Sequence, residues 1–150
     1  MRVVEGVAVS PEDVQYGLVQ FESDAGNPGI GIVRPGLRSA DFPLFDLHNE
    51  LLFGYSRTVK QPSGEDTGLP IEEDGDALRQ LETVLINELG DRGVFVGHFF
   101  LERTFTIHLY SDSEDQNVTD WIATWANSHK AKSVRQHRDA SWIEVRDFVG

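Results

Sequence analysis

The stretch Val94 to Tyr110, VFVGHFFLERTFTIHLY, holds two runs of β-branched and aromatic residues broken only by Glu102-Arg103. Such runs belong in strands, and the short polar break between them predicts a β-hairpin. An amphipathic helical pattern lies on each side of it. The chain order strand, helix, hairpin, helix, strand predicts an α+β fold: an antiparallel sheet with two helices on one face, in which a ferredoxin-like split βαβ second part follows a β-meander.

The meander is read from Val3 to Val9, Tyr16 to Phe21 and Ile30 to Val33, with turns at Ser10-Pro11-Glu12-Asp13 and from Ser23 to Gly29. Gly26, Gly29, Gly31 and Gly36 read as turn and bulge glycines. They form no phosphate loop, because no Gly-Lys-Ser/Thr follows and no helix begins there. Between Leu37 and Asn49 the apolar Phe42, Leu44, Phe45 and Leu47 predict a short helical turn packed on the core. Leu51 to Val59 reads as a strand with Leu51, Phe53 and Tyr55 on one face. Lys60 to Pro70, with two prolines and two glycines, reads as a mobile surface loop.

Asp74 is the expected N-cap of a first helix whose face is Leu78, Leu81, Leu85 and Leu89, with Gly90 as its stop. Ser113-Glu114-Asp115-Gln116 has the capping-box pattern and should open a second helix with Val118, Trp121, Ile122, Trp125 and Ala126 on one stripe. Both tryptophans should then face the sheet carrying Phe95, Phe99, Phe100 or Phe105. Val134 to His137 and Trp142 to Phe148 read as closing strands. The 150 residues are expected to form a single α+β domain: a strand-rich part (1–60), an acidic loop (61–73) and an αββαββ part (74–150).

Absent cysteine excludes disulfides and thiolate chemistry and fits a reducing cytosol. Residues 1 to 20 lack the pattern of a signal peptide, and no apolar run approaches the roughly 18 residues of a spanning helix, so a soluble, cytoplasmic protein without membrane contact is expected. The Asn117-Val118-Thr119 sequon carries no weight in that setting. Thirteen Lys and Arg against 25 Asp and Glu give a net charge of −12, which argues against direct nucleic-acid binding. Acid concentrates at Glu65, Asp66, Glu72, Glu73, Asp74 and Asp76, a solvated surface or a docking patch for a basic partner, while Lys130 to Arg138 is basic.

The side chains able to carry chemistry are few. His98 and His108 lie in the hairpin, and register decides whether they meet. Pairing Leu101 with Thr104 sets His98 opposite Ile107 and sends the two histidines to opposite faces, whereas a one-residue shift brings them together. Without a third ligand the pair predicts no metal. Asp41, Asp46, His48 and Glu50 form a second polar group, in a spacing that matches no defined mechanism. His137-Arg138-Asp139 has the letters of a kinase catalytic loop but none of its companions, and Ser10, Ser56 and Ser63 sit in no nucleophile elbow. No cofactor is expected.

From about Phe21 to Phe148 the order of features resembles the bacterial domain-of-unknown-function family 695. The resemblance runs through Gly29-Ile30-Gly31-Ile32, Gly68-Leu69-Pro70, Leu78 to Leu89, Val96-Gly97, the strand ending at Tyr110 and Trp142 to Phe148. The second half is similar in architecture to the regulator of ribonuclease E activity B, an acidic inhibitor acting by protein contact. The chain departs from many members of the family at the hairpin tip, where Leu101-Glu102-Arg103 stands in place of a glycine. The resemblance implies an α+β fold and supplies no catalytic residues. Two functions are therefore expected: a non-catalytic interaction or regulatory module binding a basic partner, or a small-molecule binder or enzyme with a cleft lined by His and Asp/Glu.

Overall fold

The computed structural model describes residues 2–9, by backbone alone, and 16–149, with side chains through 147. Nine strands form among the described residues: β1 (Arg2–Val9), β2 (Tyr16–Glu22), β3 (Pro28–Val33), β4 (Leu47–Gly54), β5 (Thr58–Lys60), β6 (Asp66–Pro70), β7 (Gly93–Leu101), β8 (Thr104–Ser111) and β9 (Ser133–Arg138). Helix α1 (Glu72–Leu89) joins β6 to β7, α2 (Gln116–Ser128) joins β8 to β9, and a short α3 (Arg146–Val149) ends the chain. Seven strands make one sheet in the order β1-β2-β3-β7-β8-β4-β9, every neighbouring pair antiparallel. The fold is α+β. No helix of the described residues is long and apolar enough to cross a membrane.

The expected hairpin is β7-β8. Leu101 pairs with Thr104 and His98 with Ile107, so the register that separates the two histidines is the one adopted. The turn leaves Glu102 and Arg103 both at positive φ, 49° and 65°, the two-residue turn that matches strand twist but normally calls for Asn or Gly. A bulge between Phe95 and Gly97 then inverts the alternation along β7. Phe95 and Phe100 thus join the main core under both helices, with Phe105, Ile107, Leu51, Leu85, Ile122 and Trp125. Phe99 instead joins Val19, Phe21 and Val33 in a separate cluster. The expectation that Phe99 faces the tryptophans fails for that reason.

Several boundaries differ from the sequence reading. β4 begins at Leu47 rather than Leu51, because Leu47, Asn49, Leu51 and Phe53 alternate on one buried face. Asn49 is polar, yet its amide is satisfied by Leu47 O, Leu109 O and Ser111 Oγ. The 60–70 segment is half of a second small hairpin, β5-β6, rather than a loop. It is tied to the β7-β8 tip by Arg103, which bonds Asp66 and, at 2.7 Å, Ser56 O, and by Arg103 N to Gly68 O at 2.9 Å. Asp74 lies in the first turn of α1, ion-paired with Arg57, and not at the cap. Asp115 caps α2 by accepting from Val118 N, while Ser113 bonds Asp46.

The expected last strand is not one. Trp142, left-handed at φ 55°, opens a 3-10 turn (Ile143–Val145) that runs into α3, on the sheet face opposite α1 and α2. Its indole stacks on Tyr110 and Phe42 and donates to Phe45 O at 2.8 Å, burial that a strand at the sheet edge would forfeit. Ser39–Asp41 forms the short turn expected before β4, and Phe42 and Phe45 anchor it to Trp142. Gly26 and Gly36 are turn glycines at positive φ, but Gly29 and Gly31 are strand residues, and the 10–13 turn lies outside the described residues.

Candidate functional site

Alternation along β4 and β8 sends His48, Glu50, Thr106, His108 and Tyr110 to the face that the long helices leave uncovered. On the neighbouring strands that face carries Phe21, Phe99 and Leu101. β3 contributes glycines there. A Cβ on Gly29 would meet the Phe21 ring at 2.4 Å and one on Gly31 the Phe99 ring at 2.3 Å. The two rings lie over bare backbone, edge to face at 5.3 Å between centroids. A groove of about 250 Å³ results, with Phe21, Phe99 and Leu101 on one side, His48, His108 and Thr106 on the other, and Glu50 and Glu144 completing its lining.

His48 Nε2 and His108 Nδ1 are 2.9 Å apart. Their rings are only 6° from parallel with centroids 5.2 Å apart, which is the geometry of an edge-to-edge N–H···N bond and not of a stack. One nitrogen must donate and the other accept, and the tautomer sets which does which. Burial pushes both imidazoles down, His48 to about 4 with help from His137, and His108 to about 3 with help from His48. Both are neutral at pH 7. His48 Nδ1 is buried without a partner among the described residues.

Around the pair, His137 meets His48 edge-on at 5.1 Å and approaches Glu144 at 3.7 Å. Tyr110 stacks on His48 and donates to Asp139 at 2.7 Å, and burial drives its phenol upward. Asp139 is itself held below the carboxylate range. Its desolvation is outweighed by the amides of Glu144 and Ile143, the Tyr110 hydroxyl and the nearby His48. No three His, Cys, Asp or Glu side chains among the described residues are placed to hold a metal ion.

The sequence candidates separate. His48, Glu50 and His108 share the groove, Glu144 and Phe99 join it from segments that sequence spacing could not connect, and His137 meets the His48 ring beside it. His98 is on the opposite face. Asp41 is exposed and paired with Arg38. Asp46 accepts from Ser113 N and Oγ and from Arg138, bonds that outweigh its desolvation and hold its carboxyl low. In the acidic patch Asp66 pairs with Arg103 and Lys60, Glu73 and Asp74 with Arg57, and Asp76 with Arg79. Glu65 and Glu72 are exposed. Much of the charge that marked this patch is thus balanced within the chain.

No family model, no curated protein and no solved structure matches this chain.

Proposed function

We propose that the protein is a non-catalytic interaction module that receives a basic partner on the sheet face opposite α1 and α2, a Lys or Arg side chain of that partner entering the groove at His48 and His108. The observation that carries this reading is the lining itself: two carboxylates, Glu50 and Glu144, beside the apolar Phe21, Phe99 and Leu101. Neutral imidazoles do not repel a cation. The net charge of −12 favours the encounter and makes it salt-sensitive. The 65–76 patch fits the role less well, since Asp66, Glu73, Asp74 and Asp76 are engaged by Arg57, Lys60, Arg79 and Arg103, whereas Glu50 meets Arg135 only at 3.8 Å.

The strand order β7-β8-β4-β9, with α1 and α2 packed on one core, supports reading this part as a ferredoxin-like split βαβ. A similarity of the second half's architecture to the regulator of ribonuclease E activity B would carry the same implication, an acidic domain acting by contact. The second reading, a small-molecule site, is favoured by the meeting of His48, Glu50 and His108 in one concavity.

The test is a titration with an Arg- and Lys-rich peptide at low and high salt. Glu50→Gln with Glu144→Gln should weaken binding roughly tenfold, as loss of charge-assisted bonds does, and Glu65→Gln with Glu72→Gln should leave it nearly unchanged. The reverse ranking would return the docking surface to the loop. Binding of free n-butylamine as tight as that of the peptide would favour the small-molecule reading.

A further inference from the structure

On the helix-bearing side a second polar locus is buried in the core. His98 on β7 places Nδ1 2.8 and 2.7 Å from the two carboxylate oxygens of Glu82 on α1, and the residues are 3% and 6% exposed. Phe95, Phe100 and Phe105 surround the imidazole. A buried pair of this kind carries a desolvation cost that apolar residues of similar volume avoid, so packing alone does not account for it. With Nδ1 committed to Glu82, Nε2 is the nitrogen left to meet an occupant.

A cavity of about 70 Å³ opens on this ring, walled by Leu18, Ile30, Ile32 and Phe100, with Arg79 beside it. Leu18, Ile30 and Ile32 are half-exposed. Arg79 lies 5.7 Å from the Phe100 centroid and is paired with Asp76. The walls are apolar and the polar groups are a guanidinium, which donates, and an imidazole, whose Nε2 donates when the ring carries a second proton opposite Glu82.

We propose that this cavity binds a small monocarboxylate with a short aliphatic body, its carboxylate between His98 Nε2 and Arg79 and its hydrocarbon against Leu18, Ile30 and Ile32. Size limits the buried portion to a few heavy atoms, since one water occupies about 30 Å³ in the liquid. The planar fork of Arg79 suits a carboxylate, and Glu82 balances the charge of an imidazolium that donates through Nε2. An amine would find the Arg79 cation beside it and at most the single lone pair of a neutral His98 Nε2.

Propionate and butyrate, titrated into the full chain, should bind saturably and shift the ¹⁵N resonance of His98 Nε2 far more than that of Nδ1. Arg79→Gln, at a half-exposed position, should keep the melting temperature and weaken both acids about tenfold or more. n-Propanol and n-propylamine should bind at least tenfold more weakly than propionate. The proposal is overturned if neither acid saturates, if n-propanol or n-propylamine matches propionate, or if Arg79→Gln leaves the affinity unchanged. None of these outcomes bears on the groove across the sheet, whose test uses a basic peptide and different residues.

Discussion

Two neutral imidazoles bonded edge to edge make His48 and His108 the side chains most sensitive to acid. Their folded values, about 4 and about 3, lie below the 6.5 of a free histidine. The unfolded chain therefore binds more protons between those values and pH 6.5. The stability they contribute is complete above pH 6.5 and is lost on acidification, at up to about 1.4 kcal/mol per pH unit for each proton taken up. Urea midpoints should fall between pH 6.5 and 5, above the carboxylate range, and a His48→Leu/His108→Leu variant should lose most of that slope. An equal slope in the variant would show that the pair is not held neutral by burial. Glycine matters on the same face. Gly31→Ala places a Cβ 2.3 Å from Phe99 Cδ1 and 2.4 Å from His98 O, and the backbone oxygen cannot turn aside. A loss of about 1–3 kcal/mol is expected in denaturant titration.

The elements were legible where apolar periodicity was strong, and less so where polar residues served a buried role. The leucine face of α1 and the Val118, Ile122, Trp125 stripe of α2 are both in the main core. Trp121 is only half-buried, and Arg92 lies over its ring at 4.6 Å. The two tryptophans should therefore differ: Trp125→Ala should cost about 3–5 kcal/mol and Trp121→Ala clearly less, as read by thermal melts. Equal losses would mean that the whole stripe packs as one. β4 was recognised late because His48, Asn49 and Glu50 read as loop polarity. The Asn49 bonds to Ser111 Oγ and Gln136 that make its burial tolerable link segments far apart in the chain. The closing segment has strand-like composition, but Trp142 gains more area against Tyr110 and Phe42 than an edge strand could offer.

Across the whole molecule the sheet separates two polar loci that share one hairpin: His98 with Glu82 under the helices, and His108 with His48 on the open face. Sequence inspection could pose this only as two registers, since a one-residue slip exchanges the faces. It named His48, Glu50 and His108 but could not join them to Glu144 or Phe99, which reach the groove through a β7 bulge and a closing turn without a sequence signature. It left the 65–76 acids as a solvated surface or a docking patch, because the arginines that neutralise several of them come from other segments. The central claim is that a basic partner docks on the sheet face opposite α1 and α2. The most direct measurement is amide chemical-shift mapping on the ¹⁵N-labelled protein during titration with an Arg- and Lys-rich peptide. The largest changes should fall on Phe99, Leu101, Thr106, His108, Glu50 and Glu144 and fade as salt is raised. Changes confined to 65–76, with the groove residues unmoved at saturation, would contradict it.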